Sequence, residues 1–449
     1  MYSSKQPGDR KKILFASFPA DGHFNPLTGL AVHLSLTGYD VTWYTSSGYA
    51  KKLGKLNIPH YPFKKAIDVS DNNFDQFFPG RKKKKTQIGK LKFDIINAFI
   101  LRGPEYYEDI KAIHASFPFD LMIADCAFTG IPFVKERMRI PVISIGVMPL
   151  TETSKDLPPA GLAMTPSYTA LGKLLQSVLR AAANMIIFKQ PHRVMYQLFE
   201  KYQLPHKGES LFDMNIQKSD LFLQIGTPGF EYYRSDLSRH IRFIGPLLPH
   251  ATTTVHKQWF DPRLVEYKKM ILVTQGTVEK DPRKLLIPTL EAFKDTEVLL
   301  VVTTGGSQTT ELRESYPHKN IIIEDYIPFA EVMPYADAYI TNGGYGGVML
   351  GVEHKLPMVV AGVHEGKNEI CARVGYFKLG INLKTETPSP RQIKLAVEKI
   401  LSDNSYKINV EKLEKEFTEY DPFELSSQYI AAVLKTAKTA AAVLKMEMV

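Results

Sequence analysis

Cysteine is nearly missing: two of the 449 residues, Cys126 and Cys371, far apart in the chain. No disulfide framework can be built from them, and a reducing, cytoplasmic setting is the expectation. No unbroken apolar run approaches the ~20 residues of a membrane span. The first apolar stretch, residues 13–16, is too short for the core of a signal peptide. There is no Asp-x-Asp pair, a common way to place carboxylates on a divalent cation that carries phosphates, so no metal is expected. A Walker phosphate loop is missing, because Gly366-Lys367-Asn368 fails at both ends. The dinucleotide pattern G-x-G-x-x-G fails as well, since Met349 stands where Gly344-Tyr345-Gly346 needs a third glycine. Neither zinc-ligand spacing nor an RNA-binding aromatic signature occurs, and nucleic acid is not an expected partner.

What is present is a globular composition. Hydrophobic residues make up 44% of the chain, with 25 Phe and 22 Tyr, which excludes a disordered protein. The net charge of +9 is locally concentrated in Arg81-Lys82-Lys83-Lys84-Lys85, followed by Lys90 and Lys92. Such a run is either a solvated loop held open by repulsion or an electrostatic tether to an anionic surface such as a membrane.

Short apolar strands alternate with amphipathic helices, the pattern of parallel α/β sheets. Strands are expected at 13–16, 41–45, 121–124 and 142–145, then again at 270–274, 298–302, 321–323, 338–340 and 358–361. Asn25-Pro26 reads as the start of a helix that ends at Gly38. Residues 151–207 read as mainly helical. Between the two series lies Gly245-Pro246-Leu247-Leu248-Pro249 and a threonine run, a plausible linker. The expected organisation is a doubly wound domain over 1–244, a linker at 245–262, a second such domain over 263–425, and a C-terminal helix over 426–449 packing back on the first domain. Two doubly wound domains imply a ligand cleft at the carboxyl ends of their strands.

Two sequence centres could carry chemistry there. His23 follows the first strand, beside Gly22, at the mouth of a helix. A lone histidine at such a place commonly packs or caps, but Asp125 ends another strand at the same expected sheet edge. A buried Asp next to a His orients the imidazole and stabilises its protonated form. Asp125 can equally serve as an N-cap for the segment that follows it. The second centre is Thr341-Asn342-Gly343-Gly344-Tyr345-Gly346-Gly347, between a strand and a helix. Its glycines let backbone amides approach an anion at a helix N-terminus. With Gln275-Gly276-Thr277 after another strand, this points to a diphosphate site.

In order and spacing these segments resemble the family 1 nucleotide-sugar glycosyltransferases of GT-B fold, which include UDP-glycosyltransferases and macrolide glycosyltransferases. Gly22-His23-Phe24-Asn25-Pro26 is similar to the family's Gly-His-x-x-Pro catalytic loop, and Asp125 to its partner aspartate. Thr274-Gln275-Gly276-Thr277 is similar to the loop that touches donor phosphates, and Asp325-Tyr326-Ile327-Pro328-Phe329 to the box that holds uracil. Residues 341–357 are similar to the donor signature. The resemblance implies that Glu365 contacts the sugar. The chain departs from the family at Asn342, usually His; at Gly347, usually Ser; at Leu350, usually a ribose-binding Glu; at Tyr326, usually Trp; and at Phe329, usually Gln.

The resemblance implies two Rossmann-like domains facing across a cleft, with acceptor bound by the first and nucleotide-sugar by the second. It implies an inverting transferase with His23 as base and Asp125 as its partner. Gly22, Gln275, Gly276, Thr277, Tyr326, Ile327, Asn342, Gly343, Gly344, Gly346, Gly347 and Glu365 would hold the donor, expected to be UDP-glucose, with no cofactor or metal. The expected acceptor is an apolar small molecule such as a phenol, polyketide or sterol, and the expected state is a monomer or simple dimer. Two other readings suit the same architecture: a nucleotide-sugar epimerase, and a non-catalytic donor-binding subunit.

Overall fold

The computed structural model describes residues 10–69, 74–250, 259–276, 278–364 and 366–446. Thirteen strands among them form two sheets in which every named pair is parallel. The first sheet contains β1 (Lys12–Ala16), β2 (Asp40–Thr45), β3 (His60–Pro62), β4 (Leu121–Asp125), β5 (Val142–Gly146), β6 (Leu221–Ile225) and β7 (Ile241–Gly245). Their spatial order is 3-2-1-4-5-6-7. The second contains β8 (Met270–Thr274), β9 (Leu299–Thr303), β10 (Ile321–Glu324), β11 (Ala338–Thr341), β12 (Met358–Val360) and β13 (Gly380–Asn382), ordered 10-9-8-11-12-13. This is the doubly wound α/β architecture twice over.

The central strands are mainly apolar because helices cover both faces of a parallel sheet. β4, β5, β8 and β9 are buried at every residue. Each fully buried Leu, Ile or Val in them is worth about 1.5–3 kcal/mol over an exposed one. Four strands escape the apolar-run criterion. β3, β7 and β13 are sheet edges carrying polar or small residues, and β6 mixes Gln224 into its run.

Strand order reverses between β1 and β4 in the first sheet, and between β8 and β11 in the second. At such switch points neighbouring crossovers leave in opposite directions and open a crevice at the carboxyl edge. One apolar cluster joins the two units: Phe15 and Trp43 of the first belong to it together with Leu272, Val348 and Phe417 of the second.

The first helix does not begin at Asn25. It spans Asp21–Leu36 with Pro26 inside it, so His23 lies in its first turn. The cost is one backbone bond at Pro26, whose missing N–H leaves the Gly22 carbonyl without its i+4 donor. Residues 151–169 contain no helix; the helical part of that insertion is one continuous run, Ala170–Lys201. The start of the expected linker is pinned to the first helix, where His250 N–H donates to Thr28 Oγ1 at 2.9 Å. Residues 251–258 lie outside the described residues. The last helix, Pro422–Met446, returns to the first unit. There Phe423 stacks on His33 at 5.1 Å, and Ser427 Oγ lies 3.1 Å from His33 Nε2.

Candidate active site

β1 and β4 are neighbours, pairing Ala16 with Ala124. The residue that ends β4 therefore sits beside the loop that leaves β1. His23 Nδ1 lies 2.7 Å from Asp125 Oδ1. Asp125 is fully buried, while the His23 side chain is 21% exposed. Asp125 does more than hold the ring. Its Oδ1 accepts from Ala127 N–H at 2.8 Å and its Oδ2 from Phe18 N–H at 2.6 Å. Cap and partner of His23 are thus one and the same group.

With Nδ1 tied to a carboxylate, the other ring nitrogen, Nε2, is left as the proton-accepting atom. It has no partner among the described residues. Phe18 packs edge-on to the imidazole at 5.5 Å and stacks on Phe99 at 4.6 Å. Beyond Phe18 lies a small, mainly apolar cavity lined by Pro19, Ile67, Val69, Phe78, Ala98 and Tyr106, with Arg102 as its one charged wall. A neutral acceptor reaching His23 from this side would meet aromatic and aliphatic walls. Gly22 leaves open space where a side chain would stand.

Across the crevice, the second centre forms at the other switch point. Asn342 and Gly343 follow β11, and Gln275 and Gly276 follow β8, its neighbour. Asn342 Nδ2 donates to the Gln275 carbonyl, which ties the two loops together. Gly276 and Gly343 both have positive φ, +79° in each case. A Cβ at Gly343 would also collide with Cys371 Sγ, so only glycine fits there. Gly344 caps the helix Tyr345–Glu353, whose first-turn amides at Gly346 and Gly347 point out of the sheet edge. Around Gly346 nothing lies within 4 Å of a would-be Cβ.

Other expected donor residues divide. Tyr326 is 68% exposed, and its hydroxyl donates to the Gly305 carbonyl at 2.8 Å, which presents the ring face to solvent. Ile327 has its side chain in the core and can offer only backbone. Gln275 is likewise turned inward, with its Nε2 donating to the Glu279 carbonyl at 3.3 Å. Leu350 packs half-buried against the apolar core, with no carboxylate in its place. Thr277 and Glu365 lie outside the described residues. Among the described residues no three His, Cys, Asp or Glu side chains group to hold a metal ion. Both cysteines have thiols pushed up to about 12 by burial, so neither offers a thiolate.

Spacing alone did not reveal what sets the two centres opposite each other. Tyr345, in the glycine loop, donates its hydroxyl to the Ile225 carbonyl at 2.6 Å, and Gln224 Nε2 donates to that hydroxyl at 3.3 Å. Arg373 Nη2 reaches Glu231 at 2.9 Å and its Nη1 reaches Glu369 at 3.1 Å, all three buried. Glu369 in turn accepts from Ala163 N–H at 2.7 Å. Met148 extends from behind β5 to Gly366. These contacts fix the carboxyl edges of the two sheets face to face.

Comparison with known proteins agrees with this architecture. Residues 287–432 match the family described as Erythromycin biosynthesis protein CIII-like, C-terminal domain. The chain is 31% identical over 410 residues to 4'-demethylrebeccamycin synthase of Lentzea aerocolonigenes, covering 91% of this chain and 96% of that protein. It is 30% identical over 430 residues to UDP-glucosyltransferase 1 of Beauveria bassiana, covering 90% and 91%. Among solved structures, the glycosyltransferase of kitacinnamycin superposes with a TM-score of 0.72 at 19% identity, over 95% of this chain and 99% of that one. On fold, on its glycine-loop domain and on identity across nearly its whole length, the chain belongs to the family 1 glycosyltransferases of GT-B fold and is a glycosyltransferase.

Proposed function

We propose that the protein transfers glucose from UDP-glucose to a hydroxyl of an apolar small molecule, with inversion at the anomeric carbon. The observation that carries this reading is the 2.7 Å contact between His23 and the buried Asp125, at the switch point facing the glycine loop. His23 Nε2 takes the proton from the acceptor hydroxyl, and Asp125 stabilises the imidazolium that forms. The acceptor oxygen bonds to the anomeric carbon on the face opposite the diphosphate. The bond from that carbon to the diphosphate breaks, and its electron pair leaves on the diphosphate oxygen. One such displacement turns an α-linked donor into a β-glycoside.

The leaving diphosphate takes its counter-charge from backbone amides at Gly276 and over residues 343–347, with the helix N-terminus behind them. No metal is required in this scheme. Tyr326 stacks on the base, and Thr277 and Glu365 contact phosphate and sugar. Support for a UDP-sugar comes from the relative named UDP-glucosyltransferase 1. Support for an apolar acceptor comes from Phe18, which packs on His23, and from the mainly apolar cavity beyond Phe18.

The test is product formation. Purified protein, UDP-glucose and a panel of phenols, polyketides and sterols should yield glucosides by mass spectrometry, undiminished by EDTA. Turnover of donor without acceptor would instead mark an epimerase. Donor binding with no product on any acceptor would mark a non-catalytic subunit.

A further inference from the structure

The first half of the helix Ala170–Lys201 has its polarity reversed with respect to the fold. Over residues 170–182 its inward side is polar, whereas from Ala183 on Ile187, Phe188, Met195 and Phe199 turn into an apolar core. Lys173 Nζ reaches Asp156 Oδ1 at 3.0 Å, and Gln176 accepts from Ser167 N–H at 2.6 Å and donates to the Asp156 carbonyl at 3.0 Å. Arg180 donates to the Leu157 carbonyl. Its outward face is apolar: Leu171, Leu174, Leu175, Val178, Met185 and Ile186 are between 57% and 76% exposed. The first four recur at three- and four-residue spacing and Met185 follows two turns on, so together they form one stripe. Only 17% of the most apolar stretch is buried, so this is not a core helix. A contiguous apolar stripe left in water on an otherwise ordinary surface marks an interaction site.

The surroundings of the stripe say what covers it. The helix Gln87–Asp94 packs against its middle, and Lys92 Nζ donates to the Ile186 carbonyl at 2.6 Å. Ile88 and Leu91, one helical turn apart, extend the apolar surface. Directly before them comes the basic run, in which Lys83, Lys84 and Lys85 are exposed and form no ion pair among the described residues. Residues 76–93 and 157–199 contain no Asp or Glu at all, yet carry Arg81, Lys82, Lys83, Lys84, Lys85, Lys90, Lys92, Lys173, Arg180, Lys189 and Arg193. A second copy docked symmetrically on this face would bring two such cationic segments together, with the neighbouring Asp94 and Asp156 already engaged by Arg81 and Lys173. An anionic lipid surface meets both demands: acyl chains for the stripe, and negative headgroups for the lysines.

We propose that this face docks the protein on anionic membranes, with the outer stripe of residues 171–186 set into the headgroup boundary and the lysines of residues 82–92 over the phosphates. The helix lies on the bilayer and does not cross it, because Lys173, Gln176 and Arg180 fasten its other side to the protein. The inference stands apart from donor, acceptor and mechanism.

Flotation of the full chain with phosphatidylcholine vesicles, with and without about 30 mol% phosphatidylserine, tests it. Binding to the anionic vesicles should exceed that to neutral ones by roughly tenfold and weaken at high salt. Replacing Leu171, Leu174, Leu175 and Val178 with Gln, and separately Lys83, Lys84 and Lys85 with Gln, should each cut binding by about tenfold or more. All seven side chains are exposed, so far-UV circular dichroism should be unchanged. Three results would overturn the proposal. One is no flotation of the wild-type chain with anionic vesicles. Another is full binding by the leucine variant, which leaves mere charge adsorption. The third is a dimer in light scattering that the leucine variant splits while no vesicle binding occurs.

Discussion

Replacing Asp125 with Asn keeps the shape of the dyad and removes its charge, which separates catalysis from packing. The carboxylate accepts from His23, Ala127 N–H and Phe18 N–H. An amide has one acceptor oxygen. If that oxygen stays on the His23 side, the NH₂ group faces Phe18 N–H, leaving buried donors unmet at about 1–3 kcal/mol. At ~2–4 °C per kcal/mol for a domain of this size, the unfolding midpoint should drop by several degrees. The effect on chemistry should be larger. With the charge centres of imidazolium and carboxylate roughly 4 Å apart and an effective dielectric of about 20, the lost attraction is about 4 kcal/mol. That corresponds to on the order of a thousandfold in kcat. The assay is steady-state kcat at saturating donor and acceptor, with donor KM as the control that should hold. His23→Ala should fall comparably, by ~10²–10⁴, and the double variant little further, because the two act as a unit. A kcat for Asp125→Asn within about tenfold of wild type, alongside a lowered midpoint, would refute the argument and leave Asp125 a loop staple.

The glycine loop gives a paired prediction. Gly346→Ala adds a methyl in open space within a helix, so the midpoint should hold or rise slightly while donor KM climbs about tenfold. Gly343→Ala, with positive φ and Cys371 in the way, should cost ~1–3 kcal/mol of stability by thermal melting. Since Leu350 supplies no carboxylate for a ribose hydroxyl, dTDP-glucose should serve as donor within about a hundredfold of UDP-glucose in kcat/KM; a preference well above a thousandfold would show that ribose recognition survives elsewhere. Glu152 is raised by burial to about 7 from its usual 4.5. Folding therefore favours its neutral form, and its share of stability is full below about 4.5 and lost as pH rises to about 7. Glu152→Gln should remove that slope, seen as a smaller fall in the melting midpoint between these pH values.

The dyad was legible in the sequence because both members sit at strand ends, where an apolar run stops and a polar residue must lie at a sheet edge. The same holds for the glycine loop after β11. The helix start was misread because Asn25-Pro26 looks like a cap, whereas Ala20 and Asp21 start the turn and Pro26 is absorbed at the expense of one bond. Side-chain direction was also hidden: Gln275 and Ile327 occupy motif positions yet turn inward. The reversed helix defeats periodicity outright. An apolar stripe at helical spacing reads as core, and only the partners of Lys173, Gln176 and Arg180 show which side faces in. Glu231 and Arg373, 142 residues apart, share no local pattern at all.

That last pair bears on how modular the molecule is. GT-B proteins invite exchange of whole halves, since one sheet is expected to choose the acceptor and the other the sugar. In this chain the halves are not independent cassettes. Arg373 arrives with the second half, but its counter-ion Glu231 belongs to the first, as do Ile225 and Gln224 beneath Tyr345. The helix Pro422–Met446 then carries the end of the chain back onto His33. A hybrid cut only at the segment after Gly245 would take Glu231 from the buried Arg373 and leave it Glu369 alone, and would seat a foreign terminal helix on the first one. Successful grafts should therefore exchange Glu231 with Arg373, and the terminal helix with the surface it covers, as matched sets.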